Sequence, residues 1–174
     1  MCDETRTTKF IAALLRTEEP DLVVITGDSI IAGAVDPLVS LTQLLEPIVS
    51  YGKPWAVVFG NHDEESGVTR TEMLRHLHSL DSENGCTING PVHLPGVGNY
   101  NLTVLGDDGA PILSLLMLDS GNGRNRYGGY DWINVRCILY FIHASPFLLL
   151  SVGTDPVVPR RRRRGAGVAG AGQQ

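Results

Sequence analysis

Leu22-Val23-Val24-Ile25-Thr26-Gly27-Asp28 and, 33 positions later, Trp55-Ala56-Val57-Val58-Phe59-Gly60-Asn61-His62-Asp63 decide the fold of this 174-residue chain. Each opens as a short, continuous apolar run, rich in β-branched residues and closed by a glycine. A run with no polar alternation reads as a strand buried on both faces, as in a parallel sheet. Residues 37–50 lie between the two runs. There Leu38, Leu41, Leu44, Leu45 and Ile48 form a helical stripe, with Pro37 at the start and Gly52 suited to the C-terminal cap. Residues 8–18 show a second stripe, Phe10, Ile11, Leu14 and Leu15, ended by Pro20. Thr69-Arg70-Thr71-Glu72 has capping-box spacing and leads into Met73, Leu74, Leu77 and Leu80. Helix, strand, helix, strand, helix is the order expected of an α/β layered fold. Residues 100–105 and 112–119 then read as two strands, with Asp107-Asp108-Gly109 between them as a hairpin turn. Residues 86–98 read as loop.

The chain is long enough for one domain with a real core. Its net charge of -5 hides an asymmetry. Through Asn134 there are 18 Asp/Glu against 8 Lys/Arg, whereas beyond it six arginines face only Asp155. An acidic body disfavours nucleic acid and suits divalent cations. Cys2, Cys86 and Cys137 form no CxxC, so neither a structural zinc site nor a disulfide framework is expected. The N-terminus, Met1-Cys2-Asp3-Glu4, is acidic and lacks the apolar core of a secretory signal, so the chain as given reads as cytoplasmic while its compartment stays open. Asn101-Leu102-Thr103 is a glycosylation sequon that matters only in a secreted protein.

Ligand sites in open α/β sheets lie beyond the carboxyl ends of the strands. Two neighbouring parallel strands would bring Gly27-Asp28 and Gly60-Asn61-His62-Asp63 together. The resulting set of carboxylate, amide and imidazole donors suits Zn²⁺, Mn²⁺ or Fe. Asp28 can bridge two cations through its two oxygens. Asn61 ligates without adding charge. His62 can approach a phosphate oxygen or protonate a leaving group, and Asp63 can hold the His62 ring in one tautomer. Gly-Asp alone is a common turn; Gly-Asn-His-Asp after a buried strand is far more specific. His76 and His78, two apart on one helix, face different ways and make poor co-ligands. His93 reads as an ordinary loop histidine.

These blocks resemble the calcineurin-like metallophosphoesterase superfamily. With Gly98-Asn99-Tyr100-Asn101-Leu102, Leu118-Asp119-Ser120-Gly121 and Gly129-Tyr130-Asp131-Trp132-Ile133, they resemble its short purple-acid-phosphatase-like branch in plants, some members of which are described as probable inactive enzymes, and related fungal phosphatases. The resemblance covers about residues 2–134. It implies a partial metallophosphoesterase β-sandwich flanked by helices, with an irregular C-terminal tail. It also implies a dimetal site (Fe, Zn or Mn) hydrolysing phosphate esters. Asp28 takes the place of the bridging carboxylate and Asn61 that of a ligand to the second metal. His62 takes the place of the phosphate-contacting acid, with Asp63 as its orienting partner.

Departures from the pattern are equally specific. The family's Asp-x-His block and Gly-His-x-His block have no counterpart here, and Ile31 stands where purple members have tyrosine. The expectation is therefore a chain truncated at both ends. Residues 1–134 form a partial phosphoesterase domain, and residues 135–174 an unrelated or disordered tail. The alternative to a phosphatase is a catalytically inactive isoform acting, if at all, by binding. Within the tail, residues 137–152 are apolar without clean periodicity and too short and interrupted for a membrane span. Arg160 to Arg164 read as a solvated run rather than a nucleic-acid patch.

Overall fold

The structure, a computed structural model, describes residues 4–122, 132–143 and 156–157. Two parallel strands, β1 (Val23–Ile25) and β2 (Trp55–Val57), pair in the register Val23↔Trp55, Val24↔Ala56 and Ile25↔Val57. This is the pairing the two apolar runs predict. Three helices complete that half: α1 (Glu4–Glu18), α2 (Pro37–Tyr51) and α3 (Arg70–Leu80). The helix ends follow their local chemistry. Asp36 accepts the Val39 N–H at 3.1 Å to start α2, and Gly52, at φ 70°, closes it. At α3 the Glu72 carboxylate accepts the Thr69 N–H at 2.9 Å, while Thr69 Oγ1 accepts the Glu72 N–H at 3.2 Å. The expected capping box is thus complete.

Alternation along the short sheet then divides two cores. One face, Val23, Ile25, Trp55 and Val57, packs against the helices with Leu15, Leu41, Leu45, Ile48, Met73 and Leu77. The other face, Val24 and Ala56, meets Tyr100, Leu102 and Met117 of a second sheet. That sheet contains β3 (Tyr100–Leu105), β4 (Pro111–Met117) and β5 (Pro156–Val157), in the order β4-β3-β5. β3 and β4 form the antiparallel hairpin expected around Asp107-Asp108-Gly109. Its turn closes through Gly106 N–H to the Ala110 carbonyl at 2.8 Å. The Tyr100 hydroxyl donates to the Val57 carbonyl at 2.6 Å and ties the two sheets together. The arrangement is helices on sheet on sheet, a partial sandwich flanked by helices.

Two short elements lie beyond Asn134. β5 runs parallel to β3. A further helix, α4 (Val135–His143), forms within the apolar segment where the sequence shows no clean period. The physical reason is visible in its faces. Cys137 and Phe141, one turn apart, are buried against Leu94, while Ile138, Leu139 and Ile142 are exposed. Apolar residues on both sides blur the helical period. Asn134 starts the helix by accepting the Arg136 N–H at 3.0 Å. The rest of the apolar run, the arginine run and the Gly/Ala segment lie outside the described residues, as do Gly129, Tyr130 and Asp131. No helix among the described residues is long and apolar enough to cross a membrane.

Candidate functional site: the strand-end corner

The chain turns sharply after each parallel strand, and the two turns touch. Gly27 has φ 95° and Asp28 follows at φ 51°, a left-handed conformation that Asp tolerates better than most residues. A Cβ on Gly27 would lie 2.3 Å from the Gly60 nitrogen, and one on Gly60 would lie 2.2 Å from Asp28 Oδ1. Only glycine at both positions lets the loops close on each other.

Into this contact the sequence inserts three of its candidate residues. The His62 N–H donates to Asp28 Oδ1 at 2.9 Å, 34 positions away in the chain. Asn61, between Gly60 and His62, shares the corner by connectivity. Asp28 is exposed, and Asn61 and His62 are half-buried.

Asp63 is held by backbone groups of both loops. It is 1% exposed, and its carboxylate accepts three backbone N–H groups: Gly60 at 2.7 Å and Asp28 at 3.1 Å on Oδ2, and Ser29 at 2.7 Å on Oδ1. It thereby joins the two loops. Burial raises its pKa above the ordinary carboxylate value, against the lowering effect of those three donors. The ring of His62 instead meets Glu65, with Nδ1 3.0 Å from Oε2. Residues 63–66 form a 3-10 turn, in which positions three apart eclipse, so Glu65 sits over His62. This hydrogen bond is the main cause of a raised His62 pKa, helped by the charges of Glu65, Asp28 and Asp63. The i,i+3 spacing in His62-Asp63-Glu64-Glu65 is the signal that reveals Glu65.

Two further buried groups support the corner, and neither stands out as chemistry in the sequence. Asp119 Oδ2 accepts the Val97 N–H at 2.8 Å, and the Asp119 N–H donates to Asn99 Oδ1 at 2.9 Å. The Asn99 and Asp119 blocks thus act as loop ties behind the site. Arg70, at the first position of α3, pairs with both Glu64 and Asp119. The remaining histidines go elsewhere. His76 Nε2 meets Thr42 Oγ1 at 2.7 Å, His78 Nε2 meets the Thr87 carbonyl at 2.8 Å, and His93 packs edge-on against Tyr140.

The donor set can be tested against a metal pair. Asp28 offers two carboxylate oxygens, one of which also accepts the His62 N–H, and Asn61 offers one amide oxygen. Among the described residues there is no group of three or more His, Cys, Asp or Glu placed to hold an ion. Zinc takes about four donors and magnesium about six. The described donors do not fit two cations.

The profile described as "Calcineurin-like phosphoesterase" matches residues 4–158. The chain is 32% identical over 161 residues to "Probable inactive purple acid phosphatase 14" of Arabidopsis thaliana, covering 84% of this chain and 40% of that protein. It is 32% identical over 166 residues to "Probable inactive purple acid phosphatase 29" of the same plant, covering 89% of this chain and 42% of that protein. It is 32% identical over 139 residues to "Phosphatase DCR2" of Saccharomyces cerevisiae, covering 75% of this chain and 24% of that protein. The chain thus spans less than half the length of these relatives. No solved structure matches it. The family generally depends on a pair of metal ions. A profile match running from α1 through β5, over a corner built from Gly27-Asp28 and Gly60-Asn61-His62-Asp63, places the chain in the calcineurin-like phosphoesterase family.

Proposed function

We propose that the strand-end corner is one side of a phosphoesterase centre that hydrolyses phosphate esters in the complete family form, and that the 174 residues alone do not turn substrate over. The observation that carries this reading is the His62 N–H donated to Asp28 Oδ1 at 2.9 Å. It brings the Asp28 carboxylate and the Asn61–His62 segment together at the carboxyl ends of two parallel strands. In this assignment Asp28 and Asn61 would be among the residues that hold the metal pair of the complete form, Asp28 through its carboxylate and Asn61 through its amide oxygen. His62 contacts the phosphoryl group and acts as general acid. Glu65, rather than Asp63, hydrogen-bonds the His62 ring and keeps it protonated to higher pH. Asp63 serves the site by locking the two loops. A metal pair held there in the complete form would supply Lewis acidity toward the phosphoryl oxygens.

The shortage of donors favours the inactive reading for this chain, because too few ligands offset the dehydration of two ions. Titration with Mn²⁺ and Zn²⁺ by calorimetry, together with p-nitrophenyl phosphate hydrolysis, tests both parts on the wild type and on Asp28→Asn. Weak or no metal binding and no turnover are expected. Two tight sites with turnover lost in Asp28→Asn would overturn the inactive reading and support the site. Metal-dependent turnover that survives Asp28→Asn would overturn the assignment of the corner itself.

A further inference from the structure

Arg70 is the only Lys or Arg buried among the described residues, at 3% exposure. Its planar guanidinium always carries a charge and presents five N–H donors in a fixed fork. Here the fork is spread over three segments. One terminal nitrogen lies 3.0 Å from Glu64 Oε2, in the 3-10 turn. Nε lies 3.1 Å from Asp119 Oδ1, close enough for charge attraction although it is not aligned as a hydrogen bond. The other terminal nitrogen donates to the carbonyls of Gly60 and Gly121. The main-chain N–H of Arg70 donates to Glu64 Oε1 at 2.9 Å, so Glu64 holds the residue from two sides.

Gly60 is where this matters. Its N–H is held by Asp63 and its carbonyl by Arg70. The peptide units on both sides of Gly60 are therefore clamped, and the next two residues are Asn61 and His62. The same guanidinium reaches the Gly121 carbonyl and Asp119, after β4. It thus couples the loop that carries the candidate site to the loop following the second sheet.

We infer that Arg70 is a positioning residue: it sets the Gly60–Asn61–His62 backbone against Asp28 and locks that loop to the Asp119–Gly121 loop. The inference rests on reading the Asp28–His62 corner as the functional site. A buried guanidinium is a poor device for core stability alone, since well-packed apolar residues often replace buried ion pairs without loss. An apolar residue cannot hold the Gly60 carbonyl, and a lysine has one nitrogen where four acceptors on three segments must be met.

Amide hydrogen exchange by NMR on the full chain tests this without metal or turnover, using Arg70→Lys and, as a milder second variant, Asp119→Asn. A charge-assisted hydrogen bond corresponds to roughly ten- to a hundredfold in local opening. In Arg70→Lys the amides of Asp28, Ser29, Gly60 and His62 should exchange at least about tenfold faster, while those of Trp55 and Leu77 stay within about twofold. The His62 ring resonance should shift, while that of His93 stays in place. Asp119→Asn should give the same pattern at smaller amplitude. Uniform acceleration in loops and core alike would show Arg70 to be only a structural residue and overturn the inference. So would unchanged loop exchange in Arg70→Lys. If Asp28→Asn fails its own test while the local pattern here holds, it is the phosphoesterase reading that falls and not the positioning role.

Discussion

Replacing Asp63 is the sharpest test of how the two loops are held. In Asp63→Ala three N–H groups lose their acceptor: those of Gly60, Ser29 and Asp28. A donor stripped of its partner costs about 1–3 kcal/mol when water cannot replace it. Asp28 is exposed and recovers most of its bond from solvent, whereas Gly60 and Ser29 are only half-exposed. About 1 kcal/mol for the first and about 1.5–2 for each of the others sum to roughly 4–5 kcal/mol. Asp63→Asn keeps one carbonyl oxygen. Placed at the Oδ2 position it still serves Gly60 and Asp28, and only Ser29 then faces an amide NH₂, a loss of about 2 kcal/mol. Relief from burying a charge offsets part of that, because Asp63 is desolvated enough for its pKa to be raised. The assay is equilibrium unfolding in urea at pH 7, followed by the fluorescence of Trp55, which is fully buried. With an m-value of about 2 kcal/mol/M, the midpoint should fall by about 2 M for Ala and by 1 M or less for Asn. A loss under about 1 kcal/mol in Asp63→Ala, or equal losses in the two variants, would refute the loop-locking role. The pH dependence adds a signed check. Because the folded pKa of Asp63 lies above its unfolded value, its contribution is fully present below that unfolded value and is lost as pH rises through the folded one. The stability gap between wild type and Asp63→Asn should therefore widen on acidification.

Two other perturbations probe the same corner. Glu65→Gln removes the hydrogen bond that chiefly raises the His62 pKa. The His62 ring should then titrate at lower pH by NMR; an unmoved midpoint would exclude Glu65 as its partner. Gly60→Ala puts a Cβ 2.2 Å from Asp28 Oδ1 and 2.5 Å from the Asp28 nitrogen, and the latter is backbone that cannot swing aside. A loss of about 1–3 kcal/mol in urea unfolding is expected, with faster exchange of the His62 amide as the loops separate; wild-type stability and exchange in this variant would show that the two turns do not touch.

The boundary between what the chain's residues announce and what folding decides runs through this corner. Several local readings from sequence held: the apolar runs became β1 and β2, the Thr69–Glu72 spacing became a capping box, and Asp107-Asp108-Gly109 became a hairpin turn. Strand ends closed by glycine also foretold that the turns carrying Asp28 and His62 would touch, because parallel neighbours must present their carboxyl ends together. The helix Val135–His143 was hidden because apolar residues on its exposed face mask the period of its buried one. Side-chain partnership at the site was decided by tertiary structure. Asp63 turned inward because N–H groups from a loop 34 and 35 positions away needed an acceptor there. Arg70 found Gly121, 51 positions distant, only once β4 had packed against β3 and delivered the following loop. Periodicity and capping act over one or two turns of chain, so they are written in the order of residues. The choice of which buried donor meets which acceptor depends on how two sheets and three helices close around a shared interior, and it exists only in three dimensions.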